Sequence, residues 1–126
     1  MKEEELKKRF KDWALAVILL TRKFPVKLAD LKEIRSQIIR SAASSAANYR
    51  AACRAKSGPD FVHKLSIVEE ETDETLFWME MIVGLSPDFR PDVVPLYKEG
   101  DELLSITVAS IKTAKRKQEA NKGKSK

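Results

Sequence analysis

The sequence predicts an all-α protein, an antiparallel up-down four-helix bundle that ends in a disordered basic C-terminal tail. Apolar residues recur every three or four positions through most of the 126 residues, which is the spacing of one face of a helix. No segment shows the alternation of apolar and polar residues that is typical of strands. Short breaks that contain proline or glycine separate four periodic stretches, so consecutive helices are expected to be antiparallel neighbours.

The first two helices are predicted at about residues 3–23 and 28–56. The first should end before Pro25, because the residue that precedes a proline disfavours the α conformation. Its predicted inward face consists of Leu6, Phe10, Trp13, Val17 and Leu20. The predicted inward face of the second helix consists of Leu31, Ile34, Ile38, Ala42, Ser45, Tyr49 and Ala52.

The third helix is predicted at about 60–83, with Ser57 as its N-cap and Asp60 completing a capping box. Gly84 suits its C-terminal cap. Its predicted inward face consists of Phe61, Leu65, Val68, Thr72, Leu76, Met79 and Val83.

The fourth helix is predicted at about 92–117, with Pro95 in its first turn or at a kink. Gly100 lowers helix stability by about 1 kcal/mol relative to alanine, which suggests close packing at that position. The predicted inward face is Leu96, Tyr97, Leu104, Val108 and Ile111. Residues 1–117 should form the bundle domain, and residues 118–126 a flexible basic tail.

Composition restricts the class of protein. With 43% hydrophobic residues the chain can build a core. The longest apolar run, 13–20, is far shorter than the roughly 20 residues that span a bilayer. The charged start is unlike a secretory signal, and the single cysteine excludes an internal disulfide. We therefore expect a soluble cytoplasmic protein with no membrane partner.

Charge is distributed unevenly along the chain. Of the 24 basic and 19 acidic residues, seven basic and one acidic residue lie in 112–126, which leaves 17 basic and 18 acidic residues before them. The second helix is basic, with six basic and two acidic residues in 28–56. The third is acidic, with seven acidic residues and one basic residue in 60–83. Opposite charge on adjacent helices favours pairing within the chain or between copies of it.

The residues offer little to an enzyme. Di-metal bundles need Glu-x-x-His pairs and zinc needs several Cys/His ligands, whereas this chain has only Cys53 and His63. These two lie on either side of the corner at 57–59, and a thiolate–imidazole dyad there would also need an orienting group and a pocket. A small buried cysteine and a solvated histidine are the simpler interpretation. We predict no catalytic residues, no metal and no cofactor.

The second helix carries the more informative surface. At 100° per residue, Lys32, Arg40, Arg50 and Arg54 fall within an arc of about 80°, which could be a solvated face or a phosphate-binding one. Beside this arc runs a polar stripe of small residues, in which Gln37 and Asn48 are expected to hydrogen-bond only when a partner arrives. The stripe consists of Gln37, Ser41, Ser44, Asn48, Ala51 and Ala55.

Several of these segments together resemble a known family. They are 37–44 (QIIRSAAS), 48–52 (NYRAA), 54–57 (RAKS), 60–61 (DF), 64–65 (KL) and 69–78 (EEETDETLFW). They are similar to the four-helix bundle proteins that include those encoded by intervening sequences in bacterial 23S rRNA genes. That family is related to the accessory variability proteins of diversity-generating retroelements. The resemblance runs from about residue 10 to 85. Many members have Ala-Glu-Gly where this chain has Arg50-Ala51-Ala52, and Gly-Ser where it has Glu70-Glu71.

The resemblance implies a homopentamer that associates with RNA or with a reverse transcriptase. It implies no catalytic residues. We therefore expect a non-enzymatic oligomeric bundle, with a pure protein-interaction scaffold as the alternative. Glu74 should lie opposite residue 43, within reach of Arg40 and Ser44, as a structural residue. The predicted nucleic-acid-binding residues are Lys32, Arg40, Arg50, Arg54, Lys115, Arg116 and Lys117. The predicted assembly residues are Gln37, Ser44, Asn48, Glu71 and Glu74.

Overall fold

Four helices account for most of residues 1–124, the part of the chain that the computed structural model describes. They are α1 (Glu3–Thr21), α2 (Ala29–Ala52), α3 (Gly58–Leu85) and α4 (Arg90–Lys124), with a 3-10 turn at Pro87–Phe89 before α4. Each helix packs against the next one, and α4 also contacts α1, which closes the bundle. The predicted all-α four-helix bundle is confirmed.

The corner between α2 and α3 depends on local hydrogen bonds. The backbone N–H groups of Arg54 and Ala55 donate to carbonyls three residues earlier, so α2 ends at Ala52 rather than near 56. Ser57 is the predicted N-cap of α3, since its Oγ accepts from the N–H of Asp60 at 3.1 Å. The Asp60 carboxylate accepts from the N–H of Lys56 (3.3 Å) and not from that of Ser57, so the predicted capping box is only half formed.

Gly84 is not the C-terminal cap that the sequence suggested. α3 continues to Leu85, with Ser86 at the C-cap, and no glycine in residues 1–124 has a positive φ. Gly84 is therefore an ordinary helical residue, and cap geometry does not account for its presence. Pro95 lies inside α4 and beyond its first turn, because the helix begins at Arg90.

The fourth helix is longer than predicted. It continues to Lys124, seven residues past the boundary expected at 117, and residues 125–126 lie outside the described part of the chain. Gln118, Glu119 and Ala120 are good helix formers that follow Lys117 without a break. Gln118 also lies against Gly58 at the start of α3. The flexible tail is therefore not seen to begin at 118.

The core confirms the predicted faces of α1 and α2, whose members are all buried. In α4 the buried face is rotated from the predicted one. Ile111 is buried as predicted, but Leu96, Tyr97, Leu104 and Val108 are only half-buried, and the other inward residues are Val93, Gly100, Leu103 and Thr107. The small residues at 100 and 107 lie on the packed side, so counting only large apolar residues displaced the prediction. Ser41, Ser45, Thr72 and Thr75 form a buried polar seam where α2 packs against α3.

Candidate nucleic-acid interface

Exposed basic side chains gather at one end of the bundle. The antiparallel topology brings the start of α1, the end of α2, the start of α3 and the end of α4 to this end. Arg50, in the last turn of α2, and Arg54, one turn further on, are both exposed. A shallow groove runs on each side of these two arginines.

The two grooves have alanine floors and basic rims. On the α1 side the lining residues are Glu4, Lys7, Lys8, Lys11, Ala46, Ala47, Arg50 and Arg54. On the α3 side they are Ala47, Arg50, Ala51, Arg54, Lys56, Asp60 and Lys64. Because alanine side chains are short, a ligand can approach the backbone of α2 between the longer basic side chains. We call the seven cations of these grooves the basic band: Lys7, Lys8, Lys11, Arg50, Arg54, Lys56 and Lys64.

Only part of this charge is neutralised within the chain. Lys7 pairs with Glu4 at 2.9 Å, Lys8 with Asp12 at 2.5 Å and Lys64 with Asp60 at 3.5 Å. The other four cations have no ion pair within residues 1–124, so seven positive against three negative charges leave a net charge of about +4. The unpaired cations are Lys11, Arg50, Arg54 and Lys56.

Comparison with known proteins gives the family. The model of the 23S rRNA-intervening sequence protein family matches residues 2–108. The chain belongs to this family. A protein of unknown function from Bacteroides thetaiotaomicron, assigned to the S23 ribosomal protein family, is similar in structure, with a TM-score of 0.76 and 27% identity. The match covers 89% of this chain and 99% of that one. Among curated proteins, none matches the sequence significantly.

Arg40 is paired within the chain, with two acidic residues of α3. Its Nη2 forms a close ion pair with Glu74, and its Nη1 donates to Glu71 Oε2 at 3.3 Å. The indole Nε1 of Trp78 also donates to Glu74, at 3.3 Å. The predicted contact of Glu74 with the second helix is thus present, and Arg40 serves to join α2 to α3. Its charge is largely compensated, which separates it from the basic band.

Lys32 is also separate from the band. It lies near the other end of α2, in a groove with Arg22 and Arg35. At a rise of 1.5 Å per residue, Lys32 stands about 27 Å along α2 from Arg50. The arc that groups these residues in projection therefore does not form one continuous surface.

Lys115, Arg116 and Lys117 are exposed on the last part of α4, at the same end of the bundle as the basic band. Arg116 donates to the hydroxyl of Thr113 at 3.4 Å. Lys117 lies in a separate depression with Met1, Tyr49 and Gly58. These cations are carried by a helix, so their spacing is set by the fold.

The polar stripe on α2 is partly satisfied within the chain. Asn48 Nδ2 donates to the Ser44 carbonyl at 2.9 Å and lies 3.1 Å from Ser44 Oγ. The prediction that Asn48 bonds only when a partner arrives is therefore wrong, because a helical amide can reach the carbonyl four residues back. Ser41 turns inward and lies 2.8 Å from the hydroxyl of Thr75. Gln37 is half-buried and has no hydrogen-bond partner within residues 1–124.

The two candidate reactive groups do not form a dyad. Cys53 is half-buried beside Tyr49 and Glu3, and burial together with a hydrogen bond to Glu3 raises the pKa of its thiol to about 11. The thiolate is therefore scarce at neutral pH, which is unfavourable for a nucleophile. His63 is exposed on α3 and has no hydrogen bond to Cys53 in the described chain. Residues 1–124 contain no cluster of three metal-ligating side chains and no helix long and apolar enough to cross a membrane.

Five members of the basic band were not among the predicted site residues: Lys7, Lys8, Lys11, Lys56 and Lys64. A register argument would have found those of α1. In an antiparallel hairpin that turns near residue 25, positions near 7 lie opposite positions in the mid-forties, next to Arg50. Lys7 and Lys11 are four residues apart and so share one face of α1.

Proposed function

We propose that this chain is a non-enzymatic, oligomeric member of the intervening-sequence protein family that binds RNA through the basic band. The observation that carries the proposal is the set of four exposed, unpaired cations around two adjacent grooves with alanine floors. The family description, which names the gene context of 23S rRNA, supports RNA as the nucleic acid. A complex with a reverse transcriptase, which is implied only by the resemblance, would be a second setting in which the same surface meets RNA.

The band would recognise phosphate groups and not bases. Arg50 and Arg54 are held on or next to a helix, and their guanidinium groups can each grip a phosphate with two hydrogen bonds. Lys11 and Lys56 stand on either side and add point charge. Neither groove is lined by an aromatic side chain on which bases could stack. Affinity should therefore be electrostatic, with little sequence preference.

The decisive experiment compares two double variants of equal charge change. Arg50→Ala with Arg54→Ala removes the centre of the band. Lys32→Ala with Arg35→Ala removes two exposed cations at the far end of the same helix. Binding to a single-stranded and a hairpin RNA would be measured by fluorescence anisotropy over a range of salt concentrations.

The band variant should lower affinity at least about tenfold. It should also make the slope of log affinity against log salt less steep by about 1.4 on a single strand, for two phosphates at 0.7 each. The control pair should change both quantities much less. Equal effects of the two variants would show that only net charge matters, and wild-type binding no stronger than that of a neutral protein would remove RNA from the proposal.

The alternative is a scaffold that binds no nucleic acid. The ion pairs of Arg40 with Glu71 and Glu74 favour this alternative. They show that some of the opposite charge on α2 and α3 serves to join the two helices and is not free to bind a ligand. In both versions we propose a homo-oligomer, with the pentamer as the expected state. Multi-angle light scattering at micromolar concentration would exclude this if the mass stayed near the 14.3 kDa of one chain.

A further inference from the structure

An apolar strip lies on the outer face of α3. Phe77, Met81 and Leu85 follow one another at intervals of four residues and are 49%, 39% and 45% exposed. Trp78, half-buried beside them, meets Phe77 edge to face with 5.0 Å between ring centroids. Single exposed apolar residues are ordinary, but a continuous row of large ones is typical of an interaction surface.

Gly84 lies next to this strip, and no contact or backbone conformation within residues 1–124 requires a glycine there. A Cβ added there would have no neighbouring atom within 4 Å, whereas one added at Gly100 would collide with Trp13. Gly84 has no positive φ and is not the helix cap. Glycine is costly inside a helix, so its use here fits a surface that another backbone approaches closely.

A complementary surface exists on α1 of the same chain. Leu15 and Leu19, one turn apart, are 50% and 53% exposed. Their face also carries Lys11 and Arg22, and Arg22 has no ion pair within residues 1–124. The face of the α3 strip instead carries Glu70 and Asp73, which are likewise exposed and unpaired in the described chain. The two surfaces are therefore both apolar at the centre and opposite in charge at the edge.

We infer that the strip on α3 receives α1 of a second copy of this chain, with Leu15 and Leu19 packing on Phe77 and Met81 beside Gly84. Because the two surfaces differ, each copy would offer one surface of each kind and the contact would be head-to-tail. Head-to-tail contacts form a ring when the rotation between copies closes and an open filament when it does not. The inference rests on the proposed self-association and is independent of RNA binding.

Two double variants test the two surfaces separately. Leu15→Gln with Leu19→Gln alters the α1 surface, and Phe77→Gln with Met81→Gln alters the α3 surface. All four side chains are substantially exposed, so the bundle should keep its far-UV circular dichroism. Val26→Gln, at a 96% exposed site in the loop between α1 and α2, is the matched control.

Each double variant alone should weaken association at least about 30-fold, the loss expected for a central apolar contact, and so sediment as a monomer. An equimolar mixture of the two should form a 1:1 heterodimer and nothing larger, because it retains one intact pair of surfaces. The Val26→Gln protein should assemble like the wild type. Gly84→Ala should weaken association while leaving the monomer at least as stable as the wild type.

These experiments distinguish failure of the self-association from failure of this particular interface. A wild-type chain that stays monomeric at micromolar concentration would overturn the self-association and this interface with it. A wild-type oligomer that both double variants leave unchanged would overturn this interface alone. A mixture that forms no heterodimer, or that rebuilds the full oligomer, would overturn the head-to-tail arrangement.

Discussion

Replacing Gly100 by alanine should destabilise the bundle although alanine is the better helix former. A Cβ at this position would lie 2.6 Å from Cζ2 of Trp13 and 2.8 Å from Cδ2 of Leu76. The leucine methyl group is the end of a flexible side chain and can move. The indole is rigid and 2% exposed, and its Nε1 donates to the Leu96 carbonyl at 2.9 Å.

The magnitude follows from three opposing effects. Alanine gains about 1 kcal/mol of helix propensity over glycine. Overpacking a tight core costs about 1–3 kcal/mol. Moving the indole away from Leu96 would leave a buried donor unpaired, at about another 1–3 kcal/mol. Both costs together, less the gain in propensity, give a net loss of about 1–5 kcal/mol. This is roughly 4 °C of melting temperature for each kcal/mol in a chain of this size.

Urea unfolding followed by circular dichroism would measure this loss, with Gly84→Ala as the control below the concentration of self-association. Gly84 has no neighbour within 4 Å, so the same substitution there should be neutral or stabilising by up to about 1 kcal/mol. In a Trp13→Phe background the cost of Gly100→Ala should fall by at least about 1 kcal/mol, because the smaller ring leaves room. A Gly100→Ala protein as stable as the wild type would refute the packing explanation.

Three further outcomes are expected. Glu74→Gln should lower the free energy of unfolding by about 0.5–1 kcal/mol, a small loss because the carboxylate and Arg40 are both partly solvated. The loss should be smaller at high salt, and a salt-independent loss would contradict an ionic cause. Glu99→Gln should cost about 1 kcal/mol in the same measurement, because Arg9 reaches Glu99 with two nitrogen atoms, at 2.5 and 2.9 Å, and joins α1 to α4; no change would show that this pair is replaceable. The pKa of Cys53 is raised from 9.0 to about 11 in the fold, so the folded state holds the proton more tightly and stability should fall as pH rises from about 9 to 11; Cys53→Ala should flatten the curve in that range, and an unchanged curve would contradict the shift.

The bundle was predictable from sequence because its determinants are local. The period of apolar residues and the break at Ser57–Pro59 are visible without any knowledge of packing. The inward face of α4 was not, because glycine and threonine can occupy a packed face as well as leucine. Glycine at position 100 lowers helix propensity, but the packing of Trp13 against it leaves no room for a Cβ. Sequence analysis could not show this contact, because Trp13 lies 87 positions earlier in the chain.

The candidate site was predictable only in part, for a related reason. A helical projection shows which residues share a side of one helix, and it grouped Lys32, Arg40 and Arg54 correctly in angle. The projection shows neither the distance between residues along the helix axis nor the side chains of neighbouring helices. Lys32 is outside the basic band because it lies too far along α2. Arg40 is outside it because Glu71 and Glu74 on α3 pair with it.

Position along the helix axis also separates the basic band from the apolar surfaces on α1 and α3. α1 is basic where it faces the end of α2, and it carries Leu15 and Leu19 further along. α3 begins beside the basic band, becomes acidic in its middle, where it clamps Arg40, and ends in the apolar strip around Gly84. If copies dock through the second half of α1 and the end of α3, every member of the basic band except Lys11, which lies at the edge of the α1 surface, stays uncovered. A ring would then present one band per copy, and several weak phosphate contacts on one RNA would add to a much higher affinity than a single band provides.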